Sequence, residues 1–586
     1  MRDSLEKPTR HILTVLLEDY FHVGAFNSII QKGQWYRFET RFEQNTVKAL
    51  ELLDRFDIKA TFFVLGWIAD QNPELVKEIA RRGHEIANRG YYHRSIRQMT
   101  PEEFREDLRR SRAALEKASE TRVHGYRAAQ RLNYHVDQWA LDVLAEEGYA
   151  YDSSLMPTAR SVRDEPRLRF AHKHQCGENE MWEFPYSTYR LGGSLIPISG
   201  GNYFRQLPHT LVKRAVRDWD RRYDAPFVMY FHVWELDPEQ PRISAASPVT
   251  RIRHYRKLDK MRWVLEDYLS TYQFVGAADY LGLTSEPRPV LELEAGHDEP
   301  VAIDLPAQVA TPAARLTQTV LEPISIVIPC YNEELILPYL ANTLRSVEEK
   351  LSKQYDLRFI FVDDCSSDNT WNSLQENFGG HANCTLLRHP QNWGVAAGIM
   401  TGLRHAETDI VCSIDCDCTY DPHELTEMIP LLTEGVDLVT ASPYHPLGGV
   451  RNVPEWRLAL SKASSFLYRQ VLRQKLYTYT SCFRVYRRDA VNRMALRETG
   501  FLGVAEMLGR LDLSGHRVVE YPATLEVRLF GWSKMKILRT VAGHLKLLTR
   551  LLALRLSGAK SKSTPTIHSD PALESGSSPI TIVTPK

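Results

Sequence analysis

The sequence has no excess of either charge: 73 Lys and Arg offset 73 Asp and Glu, for a formal net charge of zero. Bulk electrostatics therefore point to neither nucleic acid nor a membrane. Cysteine is scarce. Eight residues in 586, seven of them in the second half within or beside apolar runs, exclude a disulfide scaffold and favour a reducing compartment. Cys412-x3-Cys416-x-Cys418 lacks the usual zinc spacing, and alternation along a strand would split its side chains between faces. No run approaches the ~20 apolar residues needed to span a bilayer. The opening, Met1-Arg2-Asp3-Ser4-Leu5-Glu6-Lys7-Pro8, holds no apolar core of signal-peptide length. The expected location is cytoplasmic, or peripheral on the inner face of the cytoplasmic membrane. There is no Gly-x-Gly-x-x-Gly and no P-loop, so neither a dinucleotide nor ATP is favoured, and there is no internal repeat. What remains is an ordinary globular composition, 43% apolar and 25% charged. The length exceeds the roughly 250–300 residues at which single cores stop growing, so more than one domain is expected.

The boundaries read as a domain over 10–285, a linker over 286–321 rich in Pro, Ala and Glu, a second domain over 322–558, and a disordered Ser-, Pro- and Thr-rich tail over 559–586. In the second domain, apolar strands are predicted at 324–328, 358–362, 384–387 and 410–414, with helical patterns between them. That alternation demands a parallel sheet with right-handed crossovers, a Rossmann-like nucleotide-binding half. The fourth strand ends in Asp415-Cys416-Asp417. Ligands gather beyond the carboxyl ends of such strands, and two hard oxygen donors suit Mg²⁺ or Mn²⁺ carrying phosphates. From Lys534 onward cations recur among apolar residues, a pattern that fits either an amphipathic helix on an anionic bilayer face or a helix packed on the domain.

Several motifs in this half resemble the family 2 inverting glycosyltransferases of GT-A fold, nearest the dolichol-phosphate mannosyltransferase-like branch. They are Ile328-Pro329-Cys330-Tyr331-Asn332-Glu333, Val362-Asp363-Asp364-x-Ser366-x-Asp368-x-Thr370, Asn392-x-Gly394-x3-Gly398, Asp415-x-Asp417 and Phe530-Gly531-Trp532-Ser533-Lys534. The resemblance implies a nucleotide-sugar site containing Pro329, Tyr331, Glu333, Asp364, Asn392, Gly394 and Lys534, with Glu333 and Asp364 on the base and ribose. It also implies that Asp415 and Asp417 hold the cation on the diphosphate. Arg484, in Ser481-Cys482-Phe483-Arg484, and Arg528 match the family's arginines and are assigned to phosphates, which their fork geometry suits. Cys482 replaces the usual Gly, and Thr478 stands where an Asp is common. Glu506 is assigned as the acceptor-side base, a group not needed if the acceptor is a lipid phosphate.

The first half alternates strands and helices in a manner that suggests a (β/α) barrel or related α/β fold, making acids, histidines and arginines at strand ends site candidates. Lys59-Ala60-Thr61-Phe62-Phe63-Val64, Gly83-His84-Glu85-Ile86-Ala87, Gly125-Tyr126-Arg127-Ala128 and Tyr151-Asp152-Ser153-Ser154 look like the NodB-type polysaccharide deacetylases. Ser199-Gly200-Gly201-Asn202-Tyr203-Phe204-Arg205 and the segment from Tyr230 to Pro238 are similar to the exopolysaccharide- and exosortase-associated subgroup. The resemblance implies a distorted (β/α)7 barrel and N-deacetylation by a metal-bound water, with an Asp and a His-x3-His pair as ligands. The first His of that pair is here Arg89, which has no lone pair to give, and the second is His93. A family base has become Leu16, with Glu18 as a stand-in. The remnant site is expected at Glu18, Asp19, His93, Arg127 and His232, with Arg127 paired to Asp19 or Asp152. Tyr91, Tyr92, Tyr203, Phe204 and Trp234 are candidate faces for a sugar chain.

The expectation is a metal-dependent glycosyltransferase moving a sugar from a nucleotide-sugar to a polyprenyl-phosphate-linked or glycan acceptor in cell-surface polysaccharide synthesis. A degenerate deacetylase-like half would bind or orient the glycan. A bifunctional enzyme that also N-deacetylates, and a non-catalytic scaffold of a polysaccharide assembly complex, stay open as alternatives.

Overall fold

All seven residues of the strand His11–Leu17 (β1) are buried, as a parallel strand covered on both faces requires. The computed structural model describes residues 10–283, 321–531, 537–557 and 580–583. The chain divides into two units: residues 1–32, 40–240 and 246–310 form one, and 33–39, 241–245 and 311–586 the other. The expected linker falls almost wholly outside the described residues, as does Lys534.

In the first unit the further strands are β2 (Thr61–Val64), β3 (Glu85–Asn88), β4 (Gly125–Tyr126), β5 (Tyr151–Asp152), β6 (His172–Cys176), β7 (Asn179–Glu183), β8 (Val228–His232) and β9 (Phe274–Val275). Their order is β8-β1-β2-β3-β4-β5-β7-β6, with β9 also beside β1, and only β6–β7 is antiparallel. The helices α1 (Phe42–Arg55), α2 (Pro73–Arg81), α3 (Pro101–Ser119) and α4 (Gln138–Glu146) connect successive strands. Local chemistry sets their starts. Asn72 accepts from Leu75 N ahead of Pro73, and Thr100 with Glu103 forms a reciprocal capping box. The strand path follows the barrel expected, distorted in that β6 and β8 end it without pairing to each other among the described residues.

The second unit contains β10 (Glu322–Cys330), α5 (Leu337–Leu351), β11 (Tyr355–Asp363), α6 (Thr370–Phe378), β12 (Cys384–Arg388), α7 (Val395–His405), β13 (Ile410–Ser413), β14 (Leu438–Ser442), α8 (Glu455–Val471), β15 (Arg484–Arg487), α9 (Phe501–Ser514), β16 (Val518–Pro522), α10 (Ile537–Leu556) and β17 (Thr581–Val583). The sheet order is β16-β14-β15-β13-β10-β11-β12-β17. From β10 the chain steps outward through β11 and β12, then returns to the other side of β10 with β13. This is the switch point at which α/β sheets bind ligands. Helix α7 lies close on β10: a Cβ on Gly402 would come within 2.3 Å of Val327 Cγ1. The tail expected to be disordered contributes β17, antiparallel to β12, because Thr581–Val583 is a β-branched triplet that the edge of the sheet can take up. No described helix is long and apolar enough to cross a membrane, and α10 buries Leu547, Leu548 and Leu551.

Candidate functional sites

In the second unit, Glu333, Asp415, Asp417 and Arg528 come together beyond the ends of β10 and β13. Arg528 Nη2 donates to Glu333 Oε2, and its Nε lies 3.8 Å from Asp417 Oδ2. Asp417 Oδ1 accepts from Thr419 N at 3.1 Å. Burial, and after it the charge of Asp417, pushes the Asp415 carboxyl up to about 7, while a hydrogen bond from the Cys482 thiol opposes the shift. Two part-buried acids thus share one arginine that is already engaged by Glu333. The donor set of hard carboxylate oxygens, short of positive charge, fits a divalent cation of the Mg²⁺ or Mn²⁺ kind. Cys482, in place of a glycine, serves as the donor to Asp415, a role its position in the motif does not signal. Below the site Cys330 and Cys416 touch, Sγ to Sγ at 3.6 Å. Tyr331 is exposed and Pro329 partly so, both at the end of β10.

Other expected ligands are held differently. Asp364 is buried with both oxygens filled: Oδ1 faces His389 Nδ1 at 2.8 Å and accepts from Trp393 N at 2.8 Å, and Oδ2 accepts from Gly394 N at 2.7 Å. Asn392 donates to Asp364 O at 3.3 Å. Asp364 thus shapes the loop entering α7 instead of standing open to a ribose. Gly394 is required there, with φ +97° and a Cβ position only 2.7 Å from Gly500 Cα.

Arg484 and Glu506 are both held by internal partners. Arg484 is fully buried, donating to Val504 O at 2.9 Å and Tyr479 O at 3.0 Å. It ties main chain together through Nη1 and Nη2, with Nε left without a partner. Glu506, 2% exposed, accepts from the main-chain N–H groups of Arg497 and Glu498 and pairs with Arg510 at 2.7 Å one turn along α9. Its lone pairs are engaged by these partners.

In the first unit the strand ends gather one carboxylate and three cationic or imidazole groups. Glu18, 1% exposed, lies 3.0 Å from Arg89 Nε, 3.1 Å from His93 Nε2 and 2.6 Å from His232 Nδ1. Burial alone would raise its pKa, but Arg89, then His93 and His232, outweigh that and hold it well below the usual carboxylate range. Arg89 also reaches His93 Nε2 at 3.1 Å and Ala128 O at 3.2 Å. Burial lowers the His93 pKa, and its φ of +52° sits in the left-handed region that ordinary residues avoid. A guanidinium fills the position between Glu18 and His93, so these residues do not fit a metal ion.

Asp19 is elsewhere. It caps α1, accepting from Arg41 N at 2.6 Å and Phe42 N at 3.0 Å, and burial pushes its carboxyl up to about 7. Arg127 pairs with neither Asp19 nor Asp152. Its guanidinium lies 4.6 Å from the ring centres of both Tyr186 and Tyr230 and donates to Ser153 Oγ at 3.3 Å. Asp152 instead faces Glu183 across β5 and β7, and burial followed by Asp152's charge lifts the Glu183 pKa far above its usual value. Of the five aromatic candidates, Tyr91, Phe204 and Trp234 are core, while Tyr92 and Tyr203 keep partial exposure.

With this geometry in place, family comparison agrees with the sequence motifs. Residues 325–494 match the model for glycosyl transferase family 2. Residues 31–151 match polysaccharide deacetylase, and 153–282 a domain of unknown function, DUF3473. The chain thus carries a family 2 glycosyltransferase domain of GT-A fold behind a polysaccharide deacetylase-like domain. It is 28% identical over 231 residues to a dolichol-phosphate mannosyltransferase of Pyrococcus furiosus, a match spanning 39% of this chain and 63% of that relative. Similar solved structures include a CE4 family pseudoenzyme from Bacillus anthracis (14% identity, TM-score 0.25, 47% of this chain and 67% of that one). Another is the mannosyltransferase PcManGT from Pyrobaculum calidifontis in complex with GDP-Man and Mn²⁺ (16% identity, TM-score 0.29, 41% and 74%). Both are too distant to bear on chemistry.

Proposed function

We propose that the second unit transfers a sugar from a nucleotide-sugar to a lipid-linked or saccharide acceptor, with Asp415 and Asp417 holding Mg²⁺ or Mn²⁺. The observation that carries this reading is the convergence of Glu333, Asp415, Asp417 and Arg528 at the switch point of a nucleotide-binding sheet. A bound cation would neutralise charge on the departing diphosphate, the term that glycosyl transfer must stabilise. Asp415 must ionise to take part, and the Cys482 hydrogen bond favours that form. Arg528, positioned by Phe530 O at 2.9 Å, is the chain's own positive charge for the same diphosphate, once Glu333 turns to the nucleotide.

Two features favour an acceptor that carries a phosphate and a lipid. Glu506 is engaged and unsuited as a base, and a phosphate arrives already ionised. In addition, Trp456, Leu460 and Leu467 of α8, Phe501 of α9, and Val541 and Leu545 of α10 line an apolar cavity of about 220 Å³. Leu545, which lines it, is 51% exposed, apolar surface that suits the inner face of a membrane. The first unit, whose Glu18 is already neutralised by Arg89, His93 and His232, is read as a glycan-binding or orienting domain without deacetylation by a metal-bound water.

The test is donor turnover by the full chain against a panel of UDP- and GDP-sugars with Mg²⁺ or Mn²⁺, in the presence of polyprenyl phosphate. Cation-dependent turnover lost in Asp415→Asn and Asp417→Asn supports the reading. Turnover unchanged by both substitutions overturns it.

A further inference from the structure

Away from both sites, one side-chain cluster in the first unit has the makings of a ligand site. Strand β6 is the edge of its sheet, and its alternation buries His172, His174 and Cys176 while exposing Lys173 and Gln175. Residues two apart on a strand share a face, so His174 and Cys176 project together toward α4. There Asp142, partly exposed, completes a trio whose ligand atoms all lie within 4.8 Å of one another.

We propose that Asp142, His174 and Cys176 bind a zinc-class divalent cation that fastens the edge strand β6 to helix α4. One observation beyond the clustering points to a missing ligand: His174 is 2% exposed, yet its Nε2 is buried with no hydrogen-bond partner. Cys176 is 8% exposed, with Sγ 3.6 Å from Leu141 O and its thiol hydrogen bonded to Asp142. Chemistry then selects the ion. Each ligand must give a lone pair, so binding would release the Cys176 thiol proton to solvent. A sulfur, a nitrogen and one carboxylate oxygen match the borderline-soft preference of Zn²⁺ and not the all-oxygen demand of Mg²⁺ or Mn²⁺. Three protein ligands leave a fourth position for water, on the side where Asp142 meets solvent. Sequence reading passed over the trio because its spacing, Asp142 then His174-x-Cys176, matches no familiar zinc motif.

Cobalt is the probe, since thiolate coordination gives Co²⁺ a charge-transfer band in the near ultraviolet. The full chain, stripped by a chelator, is titrated with Co²⁺ and then with Zn²⁺ or Mg²⁺. The expected result is one equivalent of thiolate-bound cobalt, displaced by Zn²⁺ and not by Mg²⁺. The band is lost in Cys176→Ala, and in His174→Asn binding weakens by at least about 10-fold, the lower end of losses from disturbing even an outer ligand shell. The two variants are read in parallel, so misfolding of one leaves the other decisive. An Asp415→Asn, Asp417→Asn double variant should keep the band, which separates this site from the glycosyltransferase carboxylates. Absence of a band in the wild-type chain, or a band that survives both substitutions in the trio, overturns the proposal.

Discussion

The second unit gathers carboxylates with too little positive charge, and the first surrounds a single carboxylate with more than enough. Asp415 and Asp417 share an arginine already engaged by Glu333, so burial and mutual repulsion lift Asp415 to about 7. Glu18 has Arg89, His93 and His232 within 3.1 Å, and its pKa falls well below the usual range. Both clusters lie at strand ends of α/β sheets, where enzymes keep their chemistry. The charge balance separates them. An acid cluster that is electrically incomplete marks a place for a cation, whereas a completed one is a structural ion network.

The largest expected effect tests the completed cluster. Glu18→Gln leaves Arg89 buried without its counter-charge and should destabilise the first unit by about 3–5 kcal/mol in chemical denaturation at pH 7. The sign with pH follows from the direction of the shift. A depressed carboxyl pKa supplies stability that is whole above the unfolded value of about 4.3 and is lost as pH falls toward the folded value. The gap between wild type and Glu18→Gln should therefore narrow below about pH 4. A constant gap would mean that Glu18 is not held ionised by its neighbours.

Next in size, Asp415→Asn or Asp417→Asn should lower sugar transfer by about 10²–10³-fold, comparable to removing a principal electrostatic contact to developing charge. Steady-state turnover at saturating donor reads it directly. A smaller effect separates buried struts from ligands. Arg484→Lys leaves at least one of Tyr479 O and Val504 O short of a donor, for a loss of about 1–3 kcal/mol in thermal or chemical unfolding, with the donor KM unchanged. A raised KM without loss of stability would return Arg484 to the phosphate role. The smallest effect expected is none. Arg89→His recreates the His-x3-His spacing with His93, but Leu16 still stands where the family has a base, so acetate release from N-acetylated oligosaccharides should stay at background.

Much of the architecture was legible because it rests on local rules. The four apolar strands of the second unit fall at 322–330, 355–363, 384–388 and 410–413, close to the runs read from the sequence. The helix starts at Pro73 and Val395 follow from Asn72 and Gly394. The carboxylates of the Asp-x-Asp segment were legible for the same reason: a buried strand that ends in two acids brings them to the sheet's edge. What the sequence withheld were the partners each side chain takes up on packing. Glu506 answering Arg497 and Glu498, Arg484 answering Tyr479 and Val504, and Asp364 answering Trp393 and Gly394 are packing outcomes that side-chain type does not encode. The substitution at Arg89 was visible, yet its partner was not. Its carboxylate partner is Glu18, because Asp19 points back to cap α1.

Strand β17 has a consequence for handling the protein. Leu386, Leu387 and Arg388 of β12 pair with Val583, Ile582 and Thr581, so the last described segment covers an open sheet margin. A chain cut after residue 557 would uncover a row of main-chain donors and acceptors, an invitation to intermolecular pairing. Forms shortened in this way should show self-association that the 586-residue chain resists. The terminus works here as a selvage, keeping the weave from running on into a neighbour.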